Sequence, residues 1–140
     1  VSYGVAAAYS FGSYVAQILK LEQTSSSSYR VNKVVCAIDC GIVINPDIVK
    51  QQMEGSIIFG LSAATKSKIT IKNGRVEQSN FHDYPILRMN ETPEIEVLIV
   101  NSTENPEGIG EPGVPPVAPA LANALLAQTG VPARELPIRL

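Results

Sequence analysis

Hydrophobic and polar positions alternate along two segments in the first forty residues. Between Tyr14 and Glu22, one side of the alternation carries Val15, Gln17, Leu19 and Leu21. Residues 29–39 are rich in valine and isoleucine. Both patterns are typical of β-strands. One threonine and four serines, residues 24–28, separate the two segments. We therefore predict two antiparallel strands joined by a loose connection.

A helix is predicted to follow the second strand. Asn45 can cap its N-terminus, and Pro46 suits its first turn because a proline there sacrifices no hydrogen bond. The apolar spacing extends the predicted helix to about Thr65. Residues 55–65 carry no charge, so this half of the helix is expected to be buried.

Two strand signals follow the helix. Residues 68–78 alternate around Asn73-Gly74, a dipeptide that favours tight hairpin turns because both of its residues tolerate positive φ. A further strand is expected from about Glu94 to Asn101, with Ile95, Val97 and Ile99 on one side.

The stretch from Pro112 to Ala133 contains no charged side chain. Its prolines leave about a dozen helix-competent residues, whereas a bilayer requires ~20, so we expect no membrane span. The stretch instead predicts a buried helix over 117–128, closed by Thr129-Gly130, after a glycine- and proline-rich loop at 105–116. The predicted fold class is α+β, with about five mixed or antiparallel strands and two apolar helices.

Length and charge narrow the possible classes of function. A chain of 140 residues predicts one domain, able to bury roughly two-thirds of its surface. The net charge is −2, and the eleven Lys and Arg residues are spread along the chain. This distribution provides no basic surface for nucleic acid.

Both predicted helices are apolar beyond a single stripe, and the few short strands offer little surface to cover them. We hypothesise that protein outside these 140 residues buries the remaining apolar faces.

The most unusual segment is Gly108-Ile-Gly-Glu-Pro-Gly113, in which Glu111 is the single ionisable group. Glycine allows the backbone to approach a ligand closely, and proline stiffens the loop. Because an uncharged helix follows, we expect dry surroundings for this carboxylate, which would suit a general base. The alternative is an ordinary turn, with Glu111 favoured by the dipole of the following helix.

Two polar residues of the first helix have structural alternatives to a functional role. Gln52 could present its amide to a polar ligand, since it both donates and accepts, or it could be a surface residue. Glu54 borders the apolar half of the helix, so it is expected to pair with a backbone donor or a base.

His82, Cys36 and Cys40 are expected to be structural. His82 is adjacent to Asp83, but neighbouring residues do not form a triad, and no nucleophile motif is present. Two cysteines are too few for a four-ligand metal site, and buried thiols that act as small hydrophobic groups are the simpler interpretation.

Five motifs follow one another along the chain: AIDCGIVINP at 37–46, QMEG at 52–55 with FGL at 59–61, NFHDY at 80–84, GIGEPG at 108–113 and ALANA at 120–124. Taken together and in this order, they resemble the C-terminal part of the molybdenum-binding large subunit of the molybdenum hydroxylases, the xanthine oxidase and aldehyde oxidase family. Within this family the chain looks most like the isoquinoline 1-oxidoreductase beta subunits and related aldehyde dehydrogenase large subunits.

The resemblance implies a role for four residues. Glu111 matches the glutamate that acts as the catalytic base beside molybdenum when water-derived oxygen attacks an electron-poor carbon of an N-heterocycle or aldehyde. Gln52 matches a glutamine that contacts the pterin cofactor. Gly110 and Gly113 would contribute backbone to the cofactor wall, and no residue of the chain is expected to be a metal ligand.

The resemblance also implies cofactors and partners outside the chain. The full-length enzyme would hold molybdopterin, expected in its cytosine dinucleotide form, with iron–sulfur clusters on a partner subunit or domain. The expected partners are the remainder of the large subunit, an iron–sulfur small subunit, and a small aromatic heterocycle or aldehyde. No cysteine set for a cluster is present in these residues.

We expect residues 1–140 to be a single C-terminal segment of a molybdopterin-binding domain, and to be inactive in isolation. The alternative is a non-catalytic structural or subunit-docking module on the same scaffold.

Overall fold

A four-stranded sheet with two helices on one of its faces forms the framework of this computed structural model, which describes residues Val1–Leu140. In chain order the elements are β1 (Ser2–Ser10), β2 (Ser13–Ser25), β3 (Ser28–Asp39), α1 (Pro46–Thr65), β4 (Ile71–Lys72), β5 (Arg75–Val76), a 3₁₀ turn (Met89–Glu91), β6 (Glu94–Ile99) and α2 (Val117–Thr129). The sheet order is β1-β2-β3-β6, and β4 and β5 form a separate hairpin. The predicted α+β fold is confirmed.

The predicted antiparallel pair is confirmed as β2 and β3, but the expected loose connection is wrong. The two strands continue into the serine run until Ser25 pairs with Ser28, so only two residues form the turn. Serine does not prevent ladder hydrogen bonds, and the pairing therefore extends outward from the valine-rich centre of the two strands.

β1 is an element that the hydrophobic pattern does not predict, because alanine and tyrosine dominate it and give only a weak alternation. It pairs antiparallel with β2 along its whole length. α2 packs across it: Ser2 Oγ donates to the carbonyl of Ala124 at 2.8 Å. At Gly4 a Cβ would overlap the backbone of Ala120 and Ala124, so glycine is what allows the helix to lie this close.

α1 begins and ends as predicted. The side chain of Asn45 accepts hydrogen bonds from the N–H groups of Asp47 and Ile48, at 3.1 and 3.3 Å. The expectation that residues 55–65 are buried on nearly all sides is wrong, since Phe59 is 67% exposed. One stripe faces the core instead, through Val49, Met53, Ile57 and Leu61.

The remaining predicted elements are confirmed with adjusted lengths. The hairpin turns at Asn73-Gly74, with φ of 51° and 74°, but each of its strands has only two residues. β6 runs parallel to β3 at the edge of the sheet. α2 buries a stripe containing Val117, Ala120, Leu121 and Ala124. Neither helix has the length and hydropathy required to span a membrane.

The two faces of the sheet differ in what covers them. The inner face and both helices share one cluster of 18 buried hydrophobic residues. On the outer face, large apolar and aromatic side chains remain exposed: Tyr3, Val5, Tyr9, Tyr14 and Ile18. Apolar surface is therefore left uncovered, as expected, but much of it lies on the sheet and not on the helices alone.

Candidate functional site

An open cleft of about 480 Å³ lies between α1 and the loop at residues 104–116, named here the Glu111 loop. Three of the four candidate residues, Gln52, Gly110 and Glu111, line this cleft together. The remaining lining residues are Phe11, Gly55, Ser56, Phe59, Val114 and Pro115. The cleft is thus formed mainly by two segments that are distant in sequence, with Phe11 from the turn between β1 and β2.

The N-terminal half of the Glu111 loop is fastened to the ends of three strands. The N–H of Glu107 donates to the carbonyl of Cys40 at 2.9 Å, and the N–H of Gly108 donates to the carbonyl of Phe11 at 3.0 Å. Ser13 Oγ donates to the carbonyl of Gly108 at 2.7 Å. These bonds fix the loop against the turn between β1 and β2 and against the end of β3.

The C-terminal half of the Glu111 loop is fastened by two buried side chains. Gln17 Nε2, from β2, donates to the carbonyl of Gly113 at 2.8 Å. Ser56 Oγ, from α1, donates to the carbonyl of Gly110 at 3.3 Å. The short segment that carries the candidate base is therefore held on both sides by elements of the core.

Glu111 itself is exposed, so the expectation of dry surroundings is not met within these 140 residues. Its carbonyl accepts a hydrogen bond from the N–H of Val114 at 2.9 Å, which closes a turn. No salt bridge or side-chain hydrogen bond within the chain engages its carboxylate. The Glu111 carboxylate is therefore free to accept a hydrogen bond or a proton from a ligand in the cleft.

Gln52 and Gly113 occupy different surroundings. Gln52 is exposed on α1, and its amide has no partner within the chain, so it can both donate to and accept from a ligand in the cleft. Gly113 does not line the cleft. A Cβ at Gly113 would lie 2.7 Å from the Cβ of Ser56 and 3.1 Å from the sulfur of Met53, so its lack of a side chain lets the loop pack against α1.

Gln17 belongs to the site but is not singled out by the sequence pattern. It is 1% exposed and has the same orientation as Val15 and Leu19, towards the core. Its partner, Gly113, is 96 positions away in the chain. The available signal was a lone amide on the apolar side of an alternating strand, since a buried amide requires a hydrogen-bond partner.

His82 and Asp83 lie in a surface loop, as expected. The imidazole side chain is 74% exposed, with Nε2 3.6 Å from Asp83 Oδ2. The Asp83 carboxylate accepts hydrogen bonds from the N–H groups of Asn80 and Ser79, and these bonds lower its pKa to about 2. It is engaged in closing its own loop.

The other polar candidates have no contact with the cleft. Glu54 is exposed and has neither a basic nor a backbone partner, so the expected pairing is wrong; it points away from the apolar stripe of α1. Cys36 and Cys40 are free and buried, as expected. Burial raises the pKa of the Cys36 thiol to about 11, so this group is an unreactive thiol at neutral pH.

The donors of the cleft suit an organic cofactor. No group of three or more His, Cys, Asp or Glu side chains is arranged to hold a metal ion directly. The cleft instead provides the amide of Gln52, the carboxylate of Glu111 and the hydroxyl of Ser56. Gly55 and Gly110 leave open space, since a Cβ at either position would meet nothing within 4 Å. Such a wall fits a flat, polar ligand such as a pterin.

Comparison with known proteins relates this geometry to a family. A model described as a molybdopterin cofactor-binding domain matches residues 3–93, a range that includes Gln52 and ends before the Glu111 loop. The beta subunit of isoquinoline 1-oxidoreductase from Brevundimonas diminuta is 44% identical over 115 residues, which are 82% of this chain and 15% of that protein.

Two further similarities extend the comparison. A membrane-bound aldehyde dehydrogenase of Gluconacetobacter polyoxogenes, named with pyrroloquinoline quinone, is 39% identical over 107 residues, 76% of this chain and 14% of that protein. The crystal structure of quinoline 2-oxidoreductase from Pseudomonas putida 86 matches with a TM-score of 0.81 over 91% of this chain and 17% of that chain, at 23% identity. The structural match shows a shared fold. The chain spans 14–15% of the length of the two curated relatives.

Proposed function

The chain belongs to the family of molybdopterin cofactor-binding domains, and on that premise we propose that its cleft is one wall of the active site of a molybdenum-dependent hydroxylase. One observation carries the proposal. Gln52 and Glu111, from separate segments of the chain, line the same cleft with both side chains free of partners within the chain. A free amide and a free carboxylate are what cofactor binding and proton transfer require.

The roles divide between the two walls of the cleft. Gln52 binds the pterin through its amide, and the backbone at Gly110 lies against the cofactor. Glu111 removes a proton from the water-derived oxygen that attacks an electron-poor carbon of an N-heterocycle or aldehyde. As the new C–O bond forms, the C–H bond of this carbon breaks, and a bound molybdenum cofactor would supply the acceptor for the hydrogen and its two electrons. Gly113 contributes indirectly, because its packing against α1 sets the distance between the loop and the helix.

The cofactor is proposed to be molybdopterin in its cytosine dinucleotide form, with iron–sulfur clusters on a partner subunit or domain. Metal analysis and the nucleotide released from the full-length protein by acid test this directly. We expect molybdenum with CMP; molybdenum without CMP would restrict the proposal to the pterin alone. Pyrroloquinoline quinone in place of molybdenum would contradict it.

We further propose that residues 1–140 work as one segment of a large subunit. The uncovered outer face of the sheet supports this, since exposed aromatic and aliphatic side chains in a row favour contact with further protein. The isolated segment offers only one wall of the site and is expected to show no turnover. Stoichiometric molybdenum or hydroxylase activity in the purified segment would contradict this part of the proposal.

The decisive test is Glu111→Gln in the full-length protein. The amide retains the size of the carboxylate but cannot take a proton, so a loss in kcat of ~10² or more is expected. Molybdenum content should be unchanged, because Glu111 does not bind the cofactor. Glu104→Gln is the matched control, since Glu104 lies in the same loop but outside the cleft.

Near-normal turnover of the Glu111→Gln variant would favour the alternative, a structural or subunit-docking module on the same scaffold. The exposed outer face of the sheet is the observation that such a module would use.

A further inference from the structure

Gln17 is the only buried amide side chain in the chain, and it lies in a core that is otherwise apolar apart from a few serines. Burial of an amide without a hydrogen-bond partner is unfavourable, so the partners of the Gln17 amide indicate what this side chain does in the structure. Its Nε2 has one strong acceptor, the carbonyl of Gly113 at 2.8 Å. A second, weak contact reaches the sulfur of Cys36 at 3.9 Å.

The backbone of Gln17 is fixed on both sides. β2 is an inner strand of the sheet, and Gln17 is paired there with Ala6 of β1 and Cys36 of β3. A side chain that extends from such a position can transmit the rigidity of the sheet to whatever it binds. The loop segment that it binds packs against α1 as well, where Gly113 lies against Ser56.

Only one residue, Pro112, separates Gly113 from Glu111. Pro112 is fully buried, and its ring fixes its φ. Because Pro112 cannot readily change its conformation, a displacement of the Gly113 carbonyl would also displace Glu111. The Gln17 hydrogen bond thus acts two residues away from the carboxylate.

We propose that Gln17 is a positioning residue for Glu111: its amide holds the Gly113 carbonyl against the sheet and thereby fixes the position of the base in the cleft. Gln17 does not line the cleft, so it acts through the loop and not on substrate or cofactor. The inference rests on the proposed function for its catalytic consequence, but the anchoring itself can be measured without turnover.

The test uses the full-length protein with Gln17→Met, which keeps similar volume and removes the donor. The kcat should fall ~10-fold, because small misplacements of a catalytic group are costly, while KM stays within about twofold. Amide hydrogen exchange at Val114, whose N–H is bonded to the carbonyl of Glu111, should be faster by ~5-fold or more. Molybdenum content should be unchanged.

Ser62→Ala is the matched control. Ser62 is also buried, and its hydroxyl accepts a hydrogen bond from the N–H of Leu87 at 2.9 Å, far from the Glu111 loop. This variant should lose stability without changing kcat or exchange at Val114. If Gln17→Met does not fold, Gln17→Asn serves instead, because it keeps the amide but is one methylene too short to reach Gly113.

Unchanged Val114 exchange in the Gln17 variant would overturn the anchoring. If Gln17→Met speeds exchange at Val114 but leaves kcat unchanged, and Glu111→Gln still inactivates the protein, the positioning role is overturned and the proposed function is not. An active Glu111→Gln variant would instead contradict the proposed function, and with it the catalytic part of this inference.

Discussion

Two loops of the molecule carry a surface carboxylate, and they are held in opposite ways. The loop that contains His82 is closed by its own residues, since Asp83 accepts hydrogen bonds from N–H groups three and four positions away. The Glu111 loop is fastened by residues 54 to 97 positions away, on β2, α1 and the strand ends. The Asp83 carboxylate is occupied by hydrogen bonds to its own loop, whereas the Glu111 carboxylate has no partner within the chain.

The difference shows what a site for chemistry requires. A carboxylate that bonds to its neighbouring backbone stabilises a turn but has no capacity left for a substrate. A free carboxylate requires that something else orders its loop, and here buried polar side chains of the core do so. Local hydrogen bonding occupies the carboxylate of one loop, and the proposed function falls to the carboxylate of the other.

The largest expected effect comes from removing the charge in each loop of the full-length protein. Glu111→Gln should lower kcat by ~10² or more, as a lost general base predicts. Asp83→Asn should change kcat by less than about twofold, because its carboxylate acts only on its own backbone. Steady-state kinetics on both variants measures the difference, and equal losses would remove the distinction between the loops.

Within the Glu111 loop, two glycines should differ in their effect on stability. Gly113→Ala places a methyl group 2.7 Å from the Cβ of Ser56, so a loss of about 1–3 kcal/mol in the free energy of unfolding is expected from overpacking. Gly110→Ala meets nothing within 4 Å and should change stability by less than about 0.5 kcal/mol. Denaturant unfolding compares them, and similar losses would contradict the tight packing.

The two loops should also differ in their response to acid. The folded pKa of Asp83 is about 2, below its ordinary value of 3.8, so its contribution to stability is present above pH 3.8 and is lost as pH falls towards 2. The denaturant midpoint of Asp83→Asn should therefore lie below that of the parent protein at pH 5, and the gap should narrow by pH 2.

Gln17→Met is the control. The difference between its denaturant midpoint and that of the parent protein should be the same at pH 5 and pH 2, because an amide and a carbonyl do not titrate in this range. A gap that narrows equally for both variants would indicate general acid unfolding and not the titration of Asp83.

The smallest effect is expected from the surface ion pair that joins the end of α1 to the 3₁₀ turn. Lys66 Nζ lies 2.6 Å from Glu91 Oε1, but both side chains are partly exposed, so Glu91→Gln should cost no more than about 0.5 kcal/mol. Thermal unfolding in low and high salt measures this cost. A loss in the free energy of unfolding well above about 0.5 kcal/mol would mean that the ion pair contributes more to stability than an exposed pair does.

Elements with local signals could be predicted from the sequence. Asn45 and Pro46 mark the start of α1, and Asn73-Gly74 marks the hairpin, because capping and turn chemistry depend on neighbouring residues. β1 could not be predicted, since its alanines and tyrosines favour no single period, and its partner strand supplies the pairing.

The candidate site required information that spacing does not contain. Gln52 and Glu111 were linked by resemblance to a family, and the cleft they share exists only after α1 and the Glu111 loop have packed. The hydrogen bond of Gln17 to the loop was equally hidden, because its partner lies 96 positions away. The exposure of Glu111 was mispredicted, since an uncharged flanking sequence does not by itself supply the protein that would cover it.

The attachment of the Glu111 loop to Phe11, Ser13 and Gln17 also has a consequence for folding. Contacts between residues almost a hundred positions apart close a large loop of chain, and the entropy of that closure must be offset by structure already formed. The hairpin of β1 and β2 has a short turn and can form from local contacts, whereas the Glu111 loop reaches it only from residues almost a hundred positions away. We therefore expect the candidate base to be among the last groups to reach its position, and a chain that folds incompletely to leave Glu111 without a fixed place.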